Sequence, residues 1–220
     1  MNKIKLVVCW IFILSTTLSF AQDKKKNSNT LSGSGNGSAC FNESSHVLNV
    51  GIGFGTRGYY HYTRGYGYSY HSGPMFSLSY EQALPKKIGP GYLGVGAYLG
   101  YQHAYLEFDN YYYNGNQYYY RHNWRYMLIA ARAAYHLDIL NSEKAELYFG
   151  AIIGIRYQSY SYETNSIDPN KNLYELRSNS IYPVGSLFVG GRWYFVPKVA
   201  LFGEIGYGTS YLTLGVSFKL

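Results

Sequence analysis

Two sets of residues in this 220-residue chain have types and spacings that could do chemistry. The first is five charges, Glu81, Arg132, Arg156, Arg192 and Glu204, each near the middle of a stretch that is otherwise apolar, small or hydroxylated. Carboxylates and guanidiniums in such surroundings make an internal ion-pair and hydrogen-bond network, because buried charges need partners. The same residue types also line a narrow, gated ion path. The second set is tyrosine, which occurs 28 times and is bunched as Tyr59, Tyr60, Tyr62, Tyr66, Tyr68 and Tyr70, then Tyr111, Tyr112, Tyr113, Tyr118, Tyr119 and Tyr120, then Tyr157, Tyr160 and Tyr162. Tyrosine mixed with Gly, Ser and Asn gives a large, rigid contact area with adaptable hydrogen bonding, the composition of a binding or adhesion surface. It is equally the composition of an aromatic girdle and of strands that continue past a membrane into water.

Other chemistries lack their spacing. His71-Ser72, His61, His103 and His122 set no serine, histidine and acid together, and neighbours on a strand point to opposite faces, so no lipid-modifying or other enzyme is expected. His61 and His71 have no cysteine or carboxylate partners at ligand spacing, so no metal site is expected. The Gly-x-Gly repeats at 51 to 55 and 94 to 100 lie inside strand-like runs with no helix after them, so they are neither a phosphate loop nor a dinucleotide fingerprint, and no cofactor is implied. The net charge of +7 draws on Lys3, Lys5, Lys24, Lys25 and Lys26 in the first 45 residues, and a nucleic-acid partner is not indicated.

The elements that must position these residues are strands. With 25 glycines, 19 % aromatics and only 14 % charged residues, the composition is wrong for helical bundles, which favour Ala, Leu, Glu and Lys. A mean hydropathy of -0.22 is too low for a bundle of membrane helices, and 47 % hydrophobic residues is too high for a disordered chain. Beyond residue 45, apolar residues recur at every second position. Leu48, Val50, Ile52 and Phe54 share one face, opposite Asn49, Gly51, Gly53 and Gly55. The pattern repeats near 76–81, 93–102, 126–137, 147–158, 186–195, 200–207 and 211–220, with the glycines, Glu81, Arg132, Arg156, Arg192 and Glu204 on the less apolar face. A sandwich buries its apolar face in a core, whereas a membrane barrel turns that face to lipid and the polar face inward. The links alternate as well: long at about 58–73, 107–123 and 159–180, shorter at about 84–90, 138–145 and 196–198, with only the brief Gly208–Ser210 link departing from the alternation. The expected fold is all-β, an eight-stranded antiparallel up-and-down transmembrane β-barrel with a filled interior.

Residues 1–21 carry Lys3 and Lys5, an apolar run from Leu6 to Phe20 and a small-residue end at Ala21, which reads as a signal peptide cleaved after Ala21. Cys9 leaves with it and Cys40 stays as a single thiol. Residues 22–45 are mostly Lys, Asn, Ser and Gly and read as a disordered periplasmic tail, and 46–220 as the barrel.

From residue 190 on, Gly190-Gly191-Arg192-Trp193-Tyr194-Phe195, Leu201-Phe202-Gly203-Glu204-Ile205-Gly206-Tyr207-Gly208 and Tyr211-Leu212-Thr213-Leu214-Gly215-Val216-Ser217-Phe218-Lys219-Leu220 resemble the closing hairpins of the bacterial outer-membrane β-barrel (porin-like) family, of the eight-stranded type. The chain departs from that pattern in ending on Leu220, with its last aromatic at Phe218. The resemblance implies insertion into a Gram-negative outer membrane by the barrel-assembly machinery, with the last strand as its signal. It implies outer-membrane lipid and lipopolysaccharide as surroundings, and both termini in the periplasm. A structural or surface-interaction role through the Tyr-rich loops is expected, toward an extracellular ligand the residues do not name. A small gated channel is the alternative.

Overall fold

The computed structural model describes residues 40–55, 68–138, 140, 142, 144–170, 172, 175 and 179–220, all within one unit, Gly37–Leu220. Among the described residues nine strands run in chain order: β1 (His46–Phe54), β2 (Tyr68–Ser72), β3 (Met75–Ile88), β4 (Gly91–Tyr113), β5 (Asn116–Leu137), β6 (Ala145–Thr164), β7 (Ser180–Val196), β8 (Val199–Tyr207) and β9 (Leu212–Lys219). Every pairing is antiparallel. β1 pairs with both β3 and β9, and β4 with both β3 and β5, so the sheet closes on itself and leaves no open edge around the ring. The ring has eight staves, because β2 and β3 are two pieces of one stave, both paired to β4. The break falls at Gly73-Pro74, where proline has no N–H for the ladder; the Gly73 N–H still donates to the His103 carbonyl at 2.9 Å.

The two faces are inverted relative to a soluble protein. Ile153 and Ile205 are 73 % and 72 % exposed on the outer wall, while Arg132 and Arg192 are each 2 % exposed inside. The outer apolar band runs round the ring through Val50, Leu78, Leu99, Ile129, Ile155, Leu187, Ile205 and Leu214, bordered by exposed aromatics such as Tyr101, Phe149, Trp193 and Tyr207. No helix among the described residues is long and apolar enough to cross a membrane; closed strands satisfy their own backbone groups and need none.

Strand lengths are uneven. β1, β8 and β9 have 9, 9 and 8 residues, close to the ~9–11 that span a bilayer. β4, β5 and β6 have 23, 22 and 20. The segment 107–123, read from sequence as a loop, is instead two strands joined at Asn114-Gly115, whose φ values of 50° and 79° make the turn a two-residue hairpin. Residues 159–164 likewise continue β6, and 84–88 continue β3 past an irregularity between Ala83 and Lys87. The tail boundary also moves. Cys40, Phe41 and Ser45 are buried at the end of the ring where β1 begins, and the Ser45 carbonyl accepts from the Ala83 N–H at 2.9 Å.

Candidate functional site

The barrel interior is built by register. Glu81 on β3 lies level with Gly96 on β4, and Gly96 with Arg132 on β5, so the position between acid and base carries no side chain. Arg132 Nε reaches Glu81 Oε1 at 3.1 Å. Its two terminal nitrogens clamp Glu204 across the lumen at 3.2 and 2.5 Å, the bidentate geometry that suits guanidinium and carboxylate. Gly190 plays the same part between Tyr148 on β6 and Glu204 on β8, and the Tyr148 hydroxyl donates to Glu204 Oε1 at 2.9 Å. A Cβ at Gly190 would stand 2.7 Å from the Tyr148 ring and 2.8 Å from Glu204 Cγ.

Arg192 on β7 anchors the second half. It is paired with Glu146, its direct cross-strand neighbour on β6, and donates to Ser217 Oγ at 3.0 Å and to Asn49 Oδ1 at 3.2 Å. Asn49 Nδ2 donates in turn to Glu81 Oε1 at 2.8 Å. His136 closes the cluster with Nε2 3.0 Å from Glu81 and Nδ1 3.4 Å from Glu146. Two guanidinium–ring contacts add to it: Arg132 over Phe188 at 4.0 Å and Arg192 over Tyr148 at 5.0 Å. Phe41 lies flat on the His136 ring, with centroids 3.6 Å apart and planes 9° from parallel, at the mouth where the chain enters β1. Beside it, burial pushes the Cys40 thiol up to about 11, with the Glu146 carboxylate adding to the effect, and Sγ donates to the Ser142 carbonyl at 2.9 Å.

Of the five charges singled out in the sequence, the structure brings Glu81, Arg132, Arg192 and Glu204 together and leaves Arg156 out. Arg156 shares their face of the wall but sits level with Leu128 and Tyr182, half-buried, with its terminal nitrogen 3.5 Å from the Gly208 carbonyl. Glu146, His136, Asn49, Tyr148 and Ser217 are members that the sequence reading did not assign to the network. Glu146 has the same parity along β6 as Tyr148 and Arg156, and that was the available signal.

The tyrosines divide. Tyr59, Tyr60, Tyr62 and Tyr66 lie outside the described residues. Tyr68 and Tyr70 are on β2, both exposed, with Tyr68 packed on Phe108 at 4.6 Å. Tyr111, Tyr112 and Tyr113 end β4, and Tyr118, Tyr119 and Tyr120 begin β5. Tyr120 is 3 % exposed and packs with Tyr111 at 4.8 Å, part of an inner aromatic layer that continues through His122, Trp124 and Tyr160; Tyr112 is 64 % exposed. Tyr111 donates a short hydrogen bond to Asp168, tying residues 166–170 to the hairpin; that bond pushes the phenol up and holds the carboxylate below its ordinary range. On the outer face, Arg121 is paired with Glu107 and stacks over Tyr105 and Tyr119 at 5.3 and 5.4 Å.

An apolar outer wall around a charged, paired interior decides the architecture. It is a transmembrane β-barrel of the outer-membrane type. Among solved structures the chain is similar to the N-terminal β-barrel domain of OprF from Pseudomonas aeruginosa, at 11 % identity over 81 % of this chain and 98 % of that one, with a TM-score of 0.44. It is also similar to Ail, the attachment invasion locus protein of Yersinia pestis, in complex with the heparin analogue sucrose octasulfate, at 12 % identity over 80 % and 97 %, with a TM-score of 0.41. No family model and no curated protein matches the chain.

Proposed function

We propose that the protein is an integral outer-membrane barrel, closed to diffusion, whose β4–β5 hairpin with the upper part of β6 acts as a surface-interaction element. The observation that carries this reading is the excess length of three contiguous staves. β4, at 23 residues and ~3.4 Å per residue, extends roughly 75 Å, more than twice what a tilted strand needs to cross the hydrocarbon. A strand that only has to span lipid gains nothing from that excess. The projecting sheet presents Tyr112 to solvent, and β2 beside it on β4 presents Tyr68 and Tyr70, the residue type suited to stacking on sugar faces or packing on a partner protein.

The lumen supports a closed barrel over a channel. Arg132 crosses it to Glu204, Arg192 reaches over it to Asn49 while paired with Glu146 on the neighbouring stave, and an eight-stranded ring has an interior that side chains fill. The test replaces residues 108–120 by a two-residue Asn-Gly turn, which keeps the ladder between the remaining parts of β4 and β5, and Tyr68 and Tyr70 by serine. Attachment of expressing cells to glycan- and protein-coated surfaces is expected to fall at least tenfold, with heat-modifiable gel migration unchanged. Unchanged attachment in a folded, surface-exposed barrel refutes the binding role. Discrete single-channel steps from the purified wild type in planar bilayers refute the closed lumen.

A further inference from the structure

The broken stave leaves a feature that neither the lumen nor the hairpin explains. Where Gly73-Pro74 interrupts the second stave, the outer wall carries a groove of about 320 Å3 lined by His71, Phe76, Tyr101, His103 and Tyr105 together with the Gly73-Pro74 break. That is the lower end of the size of ordinary ligand sites, roughly 300–1,000 Å3. Its lining changes character along β4. Leu99 and Tyr101 belong to the apolar band, and the next outward residues are His103 and Tyr105. His71 stacks on Tyr105 at 4.7 Å, and Phe76 stands opposite Tyr101. Arg125 lies directly across from His103 on β5, is exposed, and has Ser159 as its neighbour on the other side. Cβ atoms of such opposed pairs are ~5 Å apart, which sets Arg125 beside the groove's His103 wall. The carboxylates further out on the same face, Glu107 and Glu163, flank Arg121 rather than Arg125.

A concavity that is apolar below, carries two imidazoles and a phenol above and has an arginine beside it matches a ligand with the same division. We propose that this groove is a headgroup site for a phosphorylated, acylated glycolipid of the outer leaflet. The acyl chains lie along Phe76 and Tyr101, the sugar packs on Tyr105, and the phosphate faces Arg125, His103 and His71. The proposal rests on the membrane placement above and on nothing in the hairpin's binding role. Continuity with the apolar band selects a membrane lipid over a soluble anion, since a soluble anion has no use for the lower half of the groove. The missing backbone partners at Pro74 supply the space: an unbroken ladder would carry side chains across it.

The experiment is native mass spectrometry of the full-length barrel in dodecyl maltoside micelles, supplied with bis-phosphorylated lipid A or with the same lipid enzymatically dephosphorylated. The wild type is expected to retain the phosphorylated form at least five-fold more. Arg125→Gln is expected to lower that retention about five-fold, the effect of one basic residue at an anionic lipid surface, and the pair His71→Gln and His103→Gln to lower it further. Equal retention of the two lipids by the wild type overturns the proposal without recourse to any variant. Discrimination that survives in both variants overturns the assignment to this groove, and full displacement by millimolar inorganic phosphate shows a free-anion site in its place. Heat-modifiable migration in the same micelles separates the two layers of the argument. A wild type without it sinks the membrane placement and the groove together, and a wild type that shows it but retains both lipids equally sinks the groove alone.

Discussion

Replacing Arg132 by methionine separates a structural ionic plug from a merely solvated lumen. Methionine keeps much of the volume and removes the charge together with three hydrogen bonds, one to Glu81 and two to Glu204. The two carboxylates are left in different positions. Glu81 retains Asn49 at 2.8 Å and His136 at 3.0 Å, with Arg192 at 3.5 Å. Among the described residues Glu204 retains the Tyr148 hydroxyl and loses the cation paired with it. Breaking a buried pair from one side costs about 3–5 kcal/mol, because the surviving charge stays desolvated. The expected loss for Arg132→Met is therefore in that range, most of it located at Glu204. Adding Glu204→Gln should recover at least ~1.5 kcal/mol, as expected for residues that share a network. Arg156→Met supplies the internal control: the same chemical change on the same face, with no carboxylate partner among the described residues, should cost under about 1 kcal/mol. Reversible urea unfolding of the barrel in lipid vesicles, followed by tryptophan fluorescence, gives all three numbers. Equal losses at Arg132 and Arg156, or no recovery in the double variant, would refute the network as the element that holds the interior together.

Three further outcomes follow from the mouth where β1 begins and from the hairpin. With its thiol raised to about 11, Cys40 should alkylate at pH 8 more than tenfold slower in the folded barrel than after denaturation, read as mass gain with iodoacetamide. Phe41→Ala removes the ring stacked on His136 and should cost about 3 kcal/mol in the same urea assay, while shortening the chain up to residue 39 should leave stability unchanged. For Asp168 the sign runs one way: a carboxylate held below its ordinary 3.8 stabilises the folded form above that pH, and the contribution is lost as pH falls through the lowered value. The Asn170 amide, which donates to Asp168 at 2.8 Å, should keep its hydrogen-exchange protection into acid, and Tyr111→Phe should move the loss of protection to higher pH.

Which of these features the sequence displays depends on whether they are local. Alternation is local. Leu48, Val50, Ile52 and Phe54 differ from Asn49, Gly51 and Gly53 because one face meets hydrocarbon and the other the lumen, so the staves and their inward charges can be read from parity alone. Register is not local. Parity puts Arg156 and Arg192 on the same inner surface, but their heights are fixed by the pairing of β6 with β7, so nothing in the spacing shows that Arg192 stands opposite Glu146 while Arg156 stands opposite Tyr182. The ends of β4 and β5 fail for a different reason. From Glu107 to Asn123 both faces carry Tyr and polar residues, and without an oil-to-water contrast the alternation vanishes although the ladder continues. Asn114-Gly115 was the one local signal there, a two-residue hairpin turn inside what otherwise reads as a loop. Phe41 could not be read at all: a single aromatic after a polar run gains its burial from His136, nearly a hundred positions away in the chain.

The same contrast accounts for the abundance of tyrosine and limits what it can mean. Staves that stop at the bilayer edge need no second solution to burial, and β1, β8 and β9 have none. A sheet that continues into water on three staves loses lipid on one face and the paired lumen on the other, so it has to stabilise itself. It does so with an inner aromatic layer through Tyr120, His122, Trp124 and Tyr160 and an outer line of charge pairing at Arg121 and Glu107. Phenol rings suit that task because they pack as apolar surface and still hydrogen-bond where water returns, as Tyr160 does with His122 at 2.8 Å. Much of the tyrosine is therefore accounted for by folding. A recognition role has to rest on the tyrosines that stay exposed at the projecting part of the wall, Tyr68, Tyr70 and Tyr112.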